Sequence, residues 1–508
     1  MKKTVIGIIL CFIFMLSNLS VAVTIEKTQE DMEFKNNYAI DKQETSILND
    51  QWEIETVDFS GDVGWYSDIT VSDSGEVFIS YYDNKDKHLN LATLKDDRWD
   101  LEIVDPQENT GKYGSIDADS SGNPHISYYD EENQDLKYAK YSNNEWNIET
   151  VDFQGDVGLD TSIVVDSKDN PHISYYDYTN GNLKYATKQQ SSWTIKTIHE
   201  TDDIGQGTSI AVDSFDNLHI SYTDKTGSKL YYAKSTEGQW QTEIADANCK
   251  VSGKTTIATD MDSLPHIGYY DLSDHEKWKL KHCYKNQDEW LIETIDPNLR
   301  KFYNEWGASI TIDQQNNVHV GYYAWDTWNL NYAYKTCGIW YVETVDSEGL
   351  VGAYASIALD NQGYPHISYK DNSNIYLKHA KKTQYTPNIP IKPTGEKQLK
   401  INKTYYFATK TNDLDNDKIK YGWDWNGDDI IDEWTEYHNS DETIEISHKY
   451  QEKGEYEISV KAMDENGYTS EFSEALLVSV IKRKIKNKFQ SDIFIESIIS
   501  KMISLLKG

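Results

Sequence analysis

Six histidines return at one place in a repeated phrase: His125, His172, His219, His266, His319 and His366, each in a copy of NPHISYYD (123–130). Imidazole is a common metal ligand, so such a series raises the possibility of a metal centre. The spacing points away from it. Identical positions in successive repeats stand apart around a ring, too far from one another to share an ion. A further copy, EVFISYYD (76–83), has Phe78 where the histidine belongs, and phenylalanine packs but ligates nothing. Each imidazole follows a turn such as DSKDN (166–170), to which it can bond back while its ring packs on the neighbouring repeat. These histidines are expected to be scaffold, and no catalytic residue is expected.

Ligand chemistry is better sought where the repeats differ. Loops leading into the inner strands hold Trp65, Tyr66, Tyr113, Phe302, Tyr303, Trp306 and Tyr354. Aromatic faces in water-facing loops suit the apolar faces of sugar rings, with nearby Asp and Asn available to the hydroxyls. The longest such loop, RKFYNEW (300–306), is the leading candidate. The competing reading is that these rings only seal adjacent repeats. A second candidate is DWNGDDIIDEW (424–434), where Asp424, Asn426, Asp428 and Asp432, with the Ile430 carbonyl, follow a calcium-loop spacing. Asp429 replaces that loop's turn glycine and Thr435 its bidentate glutamate, so a structural turn competes with a structural Ca2+ site. No other cofactor is expected.

The elements carrying these residues repeat. Tryptophans at 52, 99, 146, 193 and 240 are 47 residues apart, and Trp290 and Trp340 follow at intervals of 50. Each opens a strand-like stretch such as WNIETVD (146–152). A loop, a short strand (SIVVD, 162–166), a turn, HISYYD and NLKYA (182–186) follow. Four short strands per repeat, with turn residues between them, mark a propeller blade. Seven copies predict an all-β fold with a seven-bladed β-propeller of four-stranded blades over residues 51–384. The first copy begins with its Trp strand alone, and the last ends after YLKHA (376–380). If the Trp strand is outermost, residues 52–58 complete the blade begun near Ser356, leaving no unpaired edge at the seam.

Composition shifts at YTPNIPIKP (385–393), which holds three of the nine prolines and reads as a semi-rigid linker. Alternating strands over 394–481 then predict a β-sandwich. Two family resemblances enter here. The turns VDSKDN (165–170) and ADSSGN (118–123) resemble the Asp-box hairpins of sialidase-type propellers, without their closing tryptophan. A sialidase clasps its substrate carboxylate with three arginines. This chain has only Arg98, Arg300 and Arg483, the last outside the repeats, so sialidase activity is disfavoured. Nucleophile elbow, zinc-ligand spacing and phosphate-cradling glycine loop are also missing from the sequence. The stretch GEYEISVKAMDENG (454–467) resembles the polycystic-kidney-disease-type (PKD) repeat, an immunoglobulin-like module, at Gly454, Tyr456, Ile458, Val460, Asp464 and Gly467. WDWNGDD (423–429) echoes the family's Trp-Asp-x-Gly-Asp-Gly turn, with Asn426 inserted and Asp429 in the last glycine's place. The resemblance implies an extracellular spacer or adhesion module, sometimes a sugar-binding accessory.

Bulk properties agree with an exported chain. Residues 1–23 combine Lys2 and Lys3, an apolar run and small residues, the pattern of a signal peptide; 24–50 read as a flexible segment. Cys249, Cys283 and Cys337 cannot form a disulfide framework. A net charge of −35 argues against nucleic acid and anionic membranes as partners. The tail 482–508 turns from basic to apolar, and Ser491 can cap a helix carrying Ile495, Ile498, Ile499, Met502, Ile503 and Leu506. Attachment to the envelope or a membrane surface competes there with docking on the sandwich. Together these residues predict a secreted or cell-surface, non-enzymatic binding or adhesion protein recognising carbohydrate or envelope polymer. The alternatives are a polysaccharide-degrading hydrolase or lyase on the propeller and a structural envelope component.

Overall fold

The computed structural model describes residues 47–49, 52–189, 191–200, 203–274, 277–287, 289–300, 307–336, 338–482, 498–502 and 504. Six antiparallel four-stranded sheets follow one another along the chain, and a seventh unites the two ends of the repeat region. In a representative sheet the strands are Val157–Val165, Pro171–Asp177, Asn182–Gln189 and Ser192–His199, in that spatial order. The first strands touch their counterparts in the next sheet, from Trp65–Val71 through to Val351–Leu359, which returns to Trp65–Val71. The circle is closed. Its seam is the expected one: Trp52–Asp58 pairs antiparallel with Tyr376–Lys382 and becomes the outer strand of the sheet begun by Val351–Leu359. Ile47–Asn49 adds one further strand outside it.

The repeated residues fasten these sheets to one another. The second strand of the representative sheet, Pro171–Asp177, is buried at every position. The Asp213 side chain accepts the backbone N–H groups of Phe215 and Asn217 in its turn, and the His219 ring reaches back to it at 3.2 Å. A carboxylate only accepts, so Nε2 carries the proton, and Tyr232 donates its hydroxyl to Nδ1 at 2.7 Å. Tyr232 in turn meets the Trp290 ring of the next sheet edge-on at 5.1 Å. The same order of groups runs from Asp119 through His125 and Tyr138 to Trp193. In two sheets a second histidine, His282 or His379, stands where the tyrosine would be. The imidazoles therefore bond back to their turns as expected, but they reach the neighbouring sheet through an intervening ring.

A second fastener uses the first tyrosine of the phrase. Tyr81, Tyr128, Tyr175, Tyr269, Tyr322 and Tyr369 each donate to an aspartate ending the preceding outer strand, at 2.7–3.0 Å. Tyr222 pairs with His199 in the equivalent place. A third runs along the rim, where the Trp193, Trp340 and Trp52 indoles donate to Glu149, Glu293 and Glu343 of the sheet before.

Past the repeats, Tyr385 and Asn388 are buried against the last sheets, Tyr385 donating to the Gly363 carbonyl and Tyr334 to Asn388 Oδ1. A sandwich follows, with a three-stranded sheet and a five-stranded sheet. Trp423 and Trp425 stack at 4.6 Å at its centre, among Phe407, Tyr421, Ile458, Val460 and Val478. Residues 498–502 are helical, and Ile498, Ile499 and Met502 are exposed. Ser491, Ile495, Ile503 and Leu506 lie outside the described residues, as do residues 1–23, where a signal peptide is expected from the sequence. Among the described residues no helix is long and apolar enough to cross a membrane. Cys249 and Cys283 are buried thiols, and Cys337 is outside the described residues.

Candidate functional site

Six of the seven inner strands enter the ring through an irregularity; in Ser309–Ile312 the described pairing is regular. In the Thr110–Ala118 strand the pairing slips between Lys112 and Ser115, and Tyr113 between them has φ +55°. Tyr66, Tyr354 and Asp160 share that left-handed conformation at +51°, +54° and +52°. All four stand three residues before the isoleucine anchoring their strand: Ile69, Ile357, Ile163 and, for Tyr113, Ile116. Left-handed backbone disfavours side chains that carry a Cβ, and bulges that adopt it re-aim a residue off the strand face. Gly207 occupies the same offset at φ +58°, and a Cβ there would lie 2.5 Å from the Gly253 carbonyl oxygen. Lys254 and Gly307 complete the series.

These residues line a cavity of about 650 Å³ on the axis of the ring. Aromatic side chains form one wall. The Tyr66 ring lies 4.8 Å from that of Tyr113 and 5.1 Å from that of Tyr354, and Trp65 lies 5.7 Å from Tyr354. All four are half-buried, with surface left open to the cavity. The other wall is polar: Asp160, Gln206, Lys254 and the loop Thr223–Gly227. Asp160 accepts the Gly207 N–H at 2.8 Å, and burial raises its pKa despite that bond and nearby Lys254. Trp65 is pinned from behind. Its indole N–H donates to Asp62 at 2.7 Å, and Lys370, 2.6 Å from the same carboxylate, sits 5.1 Å over its ring. Burial acts to raise the Asp62 pKa, but the donors Lys370, Trp65 and Asn84 outweigh it and hold the carboxyl below its usual range. Lys370 is itself buried, at the place the other copies give to tyrosine or threonine.

Of the aromatic residues singled out by sequence, the structure brings Trp65, Tyr66, Tyr113 and Tyr354 together; Phe302, Tyr303 and Trp306 lie outside the described residues. Asp160, Gln206, Lys254 and Lys370 were not anticipated. Aligning the repeats on their isoleucines would have exposed the first and third as the varying offset.

In the 424–434 loop the carboxylates face the loop's own backbone. Asp424 is fully buried and accepts from the N–H groups of Asn426, Gly427 and Asp429. Asp432 accepts from Trp425 N–H and Asp428 from Ile430 N–H. Among the described residues no group of three or more His, Cys, Asp or Glu is placed to hold a metal ion. Nearby, Asp415 receives the Tyr385 N–H at 3.0 Å, tying the sandwich to the propeller side. Burial, with Asp415 alongside, pushes the Asp413 pKa well up.

Residues 388–474 match the PKD domain family. Through this segment the chain belongs to the PKD-domain family. Among solved structures it is similar to the PKD domain of an M14-like peptidase from a Thermoplasmatales archaeon, at 35% identity over 18% of this chain and 94% of that one (TM-score 0.17). A fucose lectin from Kordia zhangzhouensis in complex with methyl-fucoside is 16% identical over 26% of this chain and 96% of its own (TM-score 0.22). Prolyl oligopeptidase B from Galerina marginata is 10% identical over 82% of this chain and 55% of its own (TM-score 0.39). No protein of curated function matches the chain. The PKD domain thus accounts for the sandwich and leaves the axial cavity to be read from its own chemistry.

Proposed function

We propose that this is an exported, non-enzymatic binding protein whose propeller holds carbohydrate, free or as part of an envelope polymer, in the axial cavity. One observation carries the reading: Trp65, Tyr66, Tyr113 and Tyr354 converge on one wall, three of them through left-handed backbone, and face a polar wall across the cavity. A pyranose ring presents C–H groups on one face and hydroxyls around its edge, and the two walls offer partners for both. The PKD domain at 388–474 and the leader-like residues 1–23 support an extracellular setting. The test is a glycan array, followed by titration of the hits with Tyr354→Ala and Tyr66→Gly, the latter chosen because glycine suits φ +51°. Each variant is expected to weaken binding by about tenfold, the order of one lost ring contact, with the thermal midpoint unchanged. Unchanged affinity in both would remove the site.

A hydrolase or lyase has one observation in its favour: burial raises the pKa of Asp160 in the cavity wall, as a general acid requires. The other two wall carboxylates are already engaged, Asp68 by Ser356 and the Ile116 N–H and Asp224 by the Thr226 N–H and the Ser228 hydroxyl. Release of sugar from a bound polysaccharide, lost in Asp160→Asn, would establish turnover and overturn the non-enzymatic reading.

A further inference from the structure

Resting on the carbohydrate reading of the axial cavity, the geometry points to recognition of a chain end: we propose that the terminal one or two sugars of a glycan enter, and that an internal stretch does not fit.

The cavity has an unbroken wall. Every inner strand that lines it touches the inner strands on both sides, and the circle closes from Val351–Leu359 to Trp65–Val71. Among the described residues no groove crosses the ring to let a polymer enter on one side and leave on the other. The lining also has a regular innermost tier. One residue before each anchoring isoleucine lie Asp68, Ser115, Ser162, Ser209, Thr256, Ser309 and Ser356, and all of them line the cavity.

That innermost tier joins sheet to sheet. Ser356 donates to Asp68 at 2.5 Å across the seam, and Asp68 accepts the Ile116 N–H at 2.9 Å. Ser115, Ser162, Ser209 and Thr256 accept the N–H groups of Ile163, Ile210, Ile257 and Ile310 at 3.1–3.3 Å. Widening this tier would break bonds between neighbouring sheets in a buried setting, where an unmade hydrogen bond is costly. Just below it, Asp117 bridges two further sheets, accepting the Val165 N–H at 2.7 Å with Thr70 at 3.5 Å. The proposed ligand therefore reaches the aromatic and polar walls from the loop face, above this tier. A polymer threaded as a loop would have to fold back on itself within about 650 Å³, whereas a chain end needs no bend.

The test uses soluble glucan, galactan, mannan and chitosan, each as the long polymer and as sonicated fragments of known mean length, with the full chain as binder. For a polymer that binds, the protein bound per gram at saturation is expected to rise by the same factor as the number of chain ends. Binding per gram that stays constant on fragmentation, yet is lost in Tyr354→Ala, would overturn end recognition while leaving the carbohydrate site standing. Binding indifferent to both Tyr354→Ala and Tyr66→Gly, or no binding to any of these polymers and to the glycan array, would overturn the site itself and the inference with it.

Discussion

A single histidine shows why the repeated phrase is scaffold. His219 is fully buried between Asp213 and Tyr232, with both ring nitrogens occupied. Replacing it with alanine removes two hydrogen bonds and leaves a cavity, so a loss of about 2–4 kcal/mol is expected in urea unfolding. Titration gives a second signature. Burial pushes His125, His219, His282 and His366 down to about 4, from an ordinary 6.5. The unfolded chain therefore binds protons more readily than the fold, and the stability is complete above 6.5 and lost as pH falls through 4. The unfolding free energy should drop over that window, by on the order of 3 kcal/mol per histidine. A flat profile between pH 7 and ~4.5 would show that the imidazoles titrate in the fold as they do in the unfolded chain.

Legibility differed between these histidines and the cavity. The scaffold role could be read from Phe78 and from the turn, because packing tolerates phenylalanine and ligation does not. The aromatic wall was legible as Trp65, Tyr66, Tyr113 and Tyr354, residues that break a regular repeat. Asp160 and Lys254 were not, since a lone charge in an acidic sequence looks like any solvated residue until the ring brings it opposite the tyrosines. Lys370 escaped notice because one lysine in YPHISYKD (364–371) looks like drift, and only the fold places it over Trp65.

At the scale of elements, the outer strand at the seam bears most weight. Trp52 and Ile54 are buried in the last sheet's core, and Trp52 donates to Glu343 of the sheet before. A chain beginning after Asp58 would leave Tyr376–Lys382 as an open edge. Burial of Trp52, Ile54 and Val57 is worth about 2 kcal/mol or more for each side chain, so this truncation is expected to lower the thermal midpoint and sharpen proteolysis near 376–382. Unaltered stability would mean that the ring does not depend on its strand exchange. Such closure was readable beforehand from the phase of the repeats, the first copy starting where the last one stops. The 424–434 loop, by contrast, had two readings in sequence because a calcium loop and a capped turn call for the same acidic residues. Its aspartates now cap their own backbone, and a chelator should leave the thermal midpoint unmoved; a fall restored by Ca2+ and abolished in Asp428→Asn would make the loop a metal site.

For the molecule as a whole, a closed ring solves the edge problem of a β-rich chain and leaves one place where seven positions outside the repeat pattern can face one another. The fasteners use the repeated positions, so variation is free to collect at the offset three residues before each isoleucine. The PKD domain is held against the last sheets through Tyr385, Asn388 and Asp415. The most direct measurement is a crystal structure of the full chain soaked with an oligosaccharide chosen from the array. A sugar ring lying against Tyr66 and Tyr354, its hydroxyls toward Asp160 and Lys254, is the expected result. Sugar bound between outer strands or on the PKD domain, with the axial cavity holding only water, would contradict the account.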